Sequence, residues 1–180
     1  MTNKDILRIA AQQSAIDLGC RADDFFKEEN VIVRSTASEQ ARRYLKLPFD
    51  CDLVSYGSNI VASVSAAAEP AVAAFIGKYP FYHCFETPNL HALDDALQPL
   101  GLRSCFMAEY FLPDVNAVKA LPCAYELRVL HQADFADLYT EQWSNALCEQ
   151  RKELDVLGVG AYDGEKLIGL AGCSADCEDM

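Results

Sequence analysis

The stretch "GVGAYDGEKLIGLAGCS", Gly158 to Ser174, constrains this chain more than any other, because it reads as two strands joined by a tight turn. Asp163-Gly164 is the strongest short hairpin signal, and it predicts a type I′ turn, which needs positive φ at both central residues. Leu157, Val159 and Ala161 line one face of the first strand; Gly158, Gly160 and Tyr162 line the other. The return strand carries Leu167, Ile168, Leu170, Ala171 and Cys173 and is apolar on both faces. Such a strand is expected to be covered on both sides, inside a sheet flanked by helices. It also needs a neighbouring strand, which residues 175–180, "ADCEDM", are too short and acidic to supply. The expectation is that something outside the chain, or a second copy of it as a homodimer, covers that edge.

The rest of the chain supplies alternating elements. Residues 3–18 predict a helix capped by Thr2 or Asn3 and stopped by Gly19. "VIVRS" (31–35) predicts a strand, and Ser38 to Leu47 a helix closed by Pro48. "DLVSYG" and "NIVASVS" predict strands on either side of a Gly57-Ser58-Asn59 turn. A regular series follows: helix 68–78, strand 81–85, helix 88–99 capped by Thr87, Gly101 as its stop, and strand 102–112. Short links in that order imply parallel pairing with right-handed crossovers. Prolines at both ends mark 113–124 as a linker between an N-terminal lobe, 1–112, and a C-terminal part, 125–180. In the latter, "ELRVLH" (126–131) predicts a strand, 132–139 a short helix and 140–152 a second helix containing Trp143.

At 180 residues the chain is long enough for one full core or two small lobes. With 51% apolar residues, an N-terminus that opens an amphipathic helix, and an apolar run 60–76 broken by Ser63, Ser65, Glu69 and Pro70, neither a signal peptide nor a membrane span is expected. The cytoplasm is the default compartment. Fifteen basic against 27 acidic residues give a net charge of −12, which disfavours nucleic acid and anionic lipid and favours cationic partners such as amines. The eight cysteines sit in or beside apolar stretches and are expected to be reduced and mostly buried. Their spacing gives no metal site.

Strand, two helices, then a hairpin with "KLIGLAG" on its return strand resembles the first half of the GNAT superfamily of N-acyltransferases. The match runs over "YELRVLHQADFADLY", "TEQWSNALCEQRK" and "LDVLGVGAYDGEKLIGLAGCSA". The resemblance implies an α+β fold, a mixed sheet flanked by helices on both faces. It implies transfer of an acyl group from acetyl-CoA to a small-molecule or peptide amine. In that family the next strand serves the pantetheine arm, and an R/Q-x-x-G-x-G/A loop at a helix N-terminus cradles the pyrophosphate. The 180 residues end before both, so no cofactor-binding residue is identifiable and the full-length form is expected to be the enzyme. Residues 59–112 show the element order of the family's later half, with "SVSAAAEPAVAAF" where the phosphate loop would fall. That segment has no Arg and no Gly, and an acidic Glu69, so the lobe is expected to be scaffold. The alternative is a noncatalytic ligand-binding or protein-interaction module that keeps half the fold.

Glu109 is the candidate general base. Alternation on 102–112 sets it with Cys105, Met107 and Phe111 on one face, a carboxylate interrupting an apolar stripe. Tyr139, Glu141 and Trp143 fall in the paired-helix region that the resemblance makes the wall of the acceptor pocket. His83 shares a predicted strand face with Phe81 and Phe85 and is expected at the core boundary. Arg42, Arg43 and Lys46 form a basic spot expected to be a solvated helical face.

Overall fold

The computed structural model describes residues 1–175 and 177. It is a mixed α+β protein with two three-stranded sheets and divides into two compact units, Met1–Asn116 and Ala117–Met180. Expectations for residues 176 and 178–180 lie outside the described residues.

The first unit opens with α1, Asn3–Leu18. Thr2 and Asp5 form a capping box, and Gly19 ends the helix at φ 72°. A 3₁₀ turn, Ala22–Phe26, leads to β1 (Val31–Arg34), followed by β2 (Cys51–Val54) and β3 (Val61–Val64). The strand order is β1-β3-β2, with β1 parallel and β2 antiparallel to β3. α2 (Glu69–Lys78), the one-turn α3 (Phe81–Cys84) and α4 (Thr87–Leu97) follow, and Gly101 closes the last turn at φ 73°. Alternation on β3 divides the core in two. Val61 packs with Ala11, Ala15, Leu18 and Phe25 on the α1 side. Ala62 and Val64 pack with Val72, Phe75, Ile76, Leu93 and Leu97 on the α2/α4 side. Every residue of β3 is buried.

Two predicted strands of this unit do not form. Residues 81–84 are helical, because Phe81, Cys84 and Phe85 stand at i, i+3 and i+4 and all reach the α2/α4 core. A five-residue apolar run fits either period, and Pro80 opens the turn by accepting from His83 N at 2.9 Å. Residues 102–112 join no ladder. The only parallel pairing among the described residues is therefore β1 with β3. The predicted helix 38–47 is reduced to isolated turns, since its backbone groups are used elsewhere: Arg42 N donates to Asp17 Oδ1 (2.9 Å) and the Gln40 carbonyl accepts from Gln13 Nε2 (3.0 Å). The N-cap of α4 is Glu86, one residue before the predicted Thr87.

The second unit is an antiparallel meander, β4 (Glu126–His131), β5 (Asp155–Asp163) and β6 (Lys166–Ser174), in the order β4-β5-β6. The hairpin forms where predicted, but with Gly164-Glu165 as its two loop residues between the paired Asp163 and Lys166. Gly164 has φ 60° and no non-glycine residue among the described residues has positive φ, so the turn has the glycine-first pattern of type II′. The helix predicted over 132–139 is a 3₁₀ turn at Gln132–Phe135, and the one over 140–152 is two 3₁₀ turns at Glu141–Trp143 and Glu149–Arg151. Continuation through 148 is blocked because Cys148 N donates to the Asp155 carboxylate (3.1 Å).

Coverage of β5 and β6 on both faces is also not what the structure shows. Phe135 lies over Gly158, and with Leu130 and Leu147 it makes a small core on the glycine-bearing face. The opposite face carries Leu127, Val129, Leu157 and Val159, all exposed. Glycine explains the choice: a Cβ on residue 158 would meet Phe135 Cε1 at 3.1 Å, so only a bare backbone admits the ring.

Candidate functional site

The most developed polar arrangement lies between α1 and the sheet of the first unit. Gln13, Ser14 and Asp17 share the buried face of α1 with Ala10, Ala11 and Leu18. Asp17 Oδ1 accepts from Gln13 Nε2 at 3.0 Å and from Arg42 N at 2.9 Å. Its other oxygen stands 2.9 Å from Arg42 Nη1, an ion pair without hydrogen-bond alignment. Both side chains are deeply buried, at 1% and 11% exposure, so Arg42 is a core partner and not a solvated basic residue. Ser14 Oγ and Tyr56 Oη share a hydrogen bond at 3.0 Å, and Arg42 Nη2 reaches Ser14 Oγ at 3.4 Å. Burial and the nearby Asp17 raise the pKa of Asp52, with Arg42 opposing. Burial also raises the Tyr56 pKa. One guanidinium thus pairs with the Asp17 carboxylate and acts on the Asp52 carboxylate through its charge.

Arg42 also reaches outward. Its Cζ lies 5.3 Å from the Tyr110 ring centroid, and the Tyr110 and Tyr44 hydroxyls are 2.7 Å apart. Phe49 and Phe106 meet edge-on at 6.0 Å. Together with Leu45 and Cys105 these rings line an open groove of about 440 Å³.

The predicted site residues are placed as follows. Glu109 is exposed on the irregular 102–112 segment, so no apolar strand face buries its carboxylate. Tyr139, Glu141 and Trp143 belong to the other unit and share one short stretch. Tyr139 Oη donates to the Lys152 carbonyl at 3.3 Å, and its pKa is raised by desolvation, then by Asp155. Trp143 is half-buried and Glu141 exposed. His83 does not reach the core boundary: it is half exposed on α3, where Nδ1 lies 2.7 Å from Glu86 Oε1.

Sequence reasoning passed over Asp17, Asp52 and Asp155. Asp155 is 1% exposed and accepts from Ser174 Oγ (2.6 Å) and Cys148 N (3.1 Å), tying the end of β6 to the loop before β5. The signal for Asp17 was present, a carboxylate four residues after Gln13 on an otherwise small and apolar helical face. None of the eight cysteines forms a disulfide, yet only Cys84 and Cys177 are buried. Cys105 and Cys123 lie on irregular backbone and Cys173 on β6, so all three are exposed. Burial pushes the Cys51 thiol up to about 12 and Cys20 up to about 11. Among the described residues no three His, Cys, Asp or Glu side chains converge as a metal site, and no helix is long and apolar enough to cross a membrane.

No protein-family model matches the chain, and neither curated proteins nor solved structures give a match to it.

Proposed function

We propose that the second unit is the opening part of a GNAT-like acyltransferase sheet, in a protein that moves an acyl group from acetyl-CoA to an amine. The observation that carries this reading is the sheet itself: β4, β5 and β6 are consecutive, antiparallel and in sequence order, and β6 pairs only with β5 among the described residues. An apolar last strand with an unpaired edge suits a sheet that continues into a further strand. In this reading Tyr139, Glu141 and Trp143 stand on the acceptor side, on the segment between β4 and β5. The amine would attack the thioester carbon directly while a base or water chain took its proton and backbone N–H groups polarised the carbonyl, and the C–S bond would break to release coenzyme A as its thiol. The segment between β4 and β5 holds 3₁₀ turns in place of the two helices that the resemblance implies.

Acetyl-CoA affinity needs clustered backbone donors at a helix N-terminus, and none follows β6 among the described residues. Residues 1–180 alone are therefore expected to bind acetyl-CoA weakly or not at all. The deciding experiment uses the native protein purified from its source, with an intact mass and a thiol-release assay on acetyl-CoA across a panel of small and peptide amines. Amine-dependent release of coenzyme A supports the reading. Neither release nor calorimetric binding of acetyl-CoA would leave a noncatalytic binding module in its place.

A further inference from the structure

Residues 104–115 cross the first unit without joining a ladder, yet they are held at both ends. At one end Ser104 N and Oγ both donate to Asp94 Oδ1 at 2.7 Å, from the last turns of α4. At the other, Asn3 of α1 donates to Asp114 Oδ1 (2.7 Å) and accepts from Val115 N (2.8 Å). Between these anchors Phe106, Met107, Tyr110 and Phe111 are 57–87% exposed. In the middle, Phe106 meets Phe49, and Tyr110 meets the Arg42 guanidinium and the Tyr44 hydroxyl.

We propose that residues 104–115 form a strap over the aromatic groove, pinned at its ends and latched at its middle by the relay Asp17–Arg42–Tyr110–Tyr44. The buried end of the relay is rigid, because Asp17 fixes Arg42 through both its guanidinium and its backbone N–H. The outer end is weak, one stacked cation and one hydroxyl pair at the surface. The strap therefore lifts at its middle while its anchors and the core stay in place, uncovering Tyr44, Leu45 and Phe49. Glu109 rides on this strap, which accounts for an exposed carboxylate among apolar neighbours. The inference concerns the first unit and does not depend on the acyltransferase reading.

Chymotryptic cleavage after Phe106 in the full chain, with hydrogen exchange of the β3 amides as the core readout, tests it. A protease needs several residues drawn off the surface, so the cleavage rate follows strap opening. Tyr110→Ala removes both latch contacts and is expected to raise that rate roughly tenfold, Arg42→Lys somewhat less, and Tyr44→Phe about two- to threefold. β3 exchange is expected to stay unchanged in Tyr110→Ala and Tyr44→Phe, the two variants that leave the buried Asp17–Arg42 pair intact. Phe111→Ala, at the most exposed ring, is expected to leave the rate as it was. An unchanged rate in Tyr110→Ala or Arg42→Lys overturns the latch. A rise matched by faster β3 exchange in Tyr110→Ala or Tyr44→Phe, or an equal rise in Phe111→Ala, overturns the strap as a separately moving piece.

Discussion

Strands β3 and β6 look alike in sequence and end in opposite environments. "VASV" and "LIGLAGC" are both apolar on both faces. β3 is buried throughout because it is the central strand, with β1 and β2 at its edges, α1 on one face and α2 and α4 on the other. β6 is an edge strand among the described residues, and its side chains are exposed or half-buried. Apolar alternation states what a strand can bury; the helices available to lie on it decide what it does bury. In the first unit α1 is capped at both ends, and α1 and α2 hold their predicted spans closely. In the second, the predicted helices shrink to 3₁₀ turns, and a core of Leu130, Phe135 and Leu147 is all they provide.

The largest test of this contrast is a pair of substitutions. Phe25→Ala, at a fully buried ring between Leu18, Val61 and Tyr56, is expected to cost the first unit about 3–5 kcal/mol. Val159→Thr on the open face of β5 is expected to change stability by about 0.5 kcal/mol or less. Urea unfolding followed by circular dichroism compares them, and equal costs would mean that the open face is covered in solution.

A smaller effect is expected where glycine admits the thin core. Gly172→Ala drives a Cβ into the Ala146 carbonyl oxygen, and Gly158→Ala places one 3.1 Å from Phe135 Cε1. Each is expected to cost about 1–3 kcal/mol. Hydrogen exchange should report the loss in β4–β6 and leave β1–β3 protected; faster exchange in β1–β3 as well would argue against local damage.

Titration of Asp52 should be felt only in the first unit. Its pKa is raised above the ordinary 3.8 by burial, then by Asp17. The folded state therefore holds the proton more tightly than the unfolded chain. This contribution is fully present below pH 3.8 and is lost as pH rises through the raised value. Asp52→Asn should flatten that part of a melting-temperature profile between acid and neutral pH. A profile with the wild-type slope would remove Asp52 as its source.

The smallest expected change is at Glu109. Exposed on backbone outside any ladder, it should tolerate Glu109→Gln with about 0.5 kcal/mol or less in urea. A larger loss would show that the carboxylate is buried against something in solution.

Local signals determined much of this protein. Thr2, Asp5 and Gly19 set both ends of α1, the spacing of α2 and α4 set their spans closely, and Gly164 set the hairpin to within one residue. Each acts through a few neighbouring backbone groups, so a window of ten residues contains the cause. What tertiary structure decided is of another kind. Residues 38–47 lost their helix because Asp17 and Gln13, some 25 residues away along the chain, took Arg42 N and the Gln40 carbonyl. Residues 102–112 kept a strand-like alternation but no ladder, since a strand exists only where an edge pairs with it. The same holds for function: Glu109 stood out by contrast with its neighbours in sequence, whereas Asp17, Arg42 and Asp52 became a site only when folding removed their water and left one guanidinium among two carboxylates.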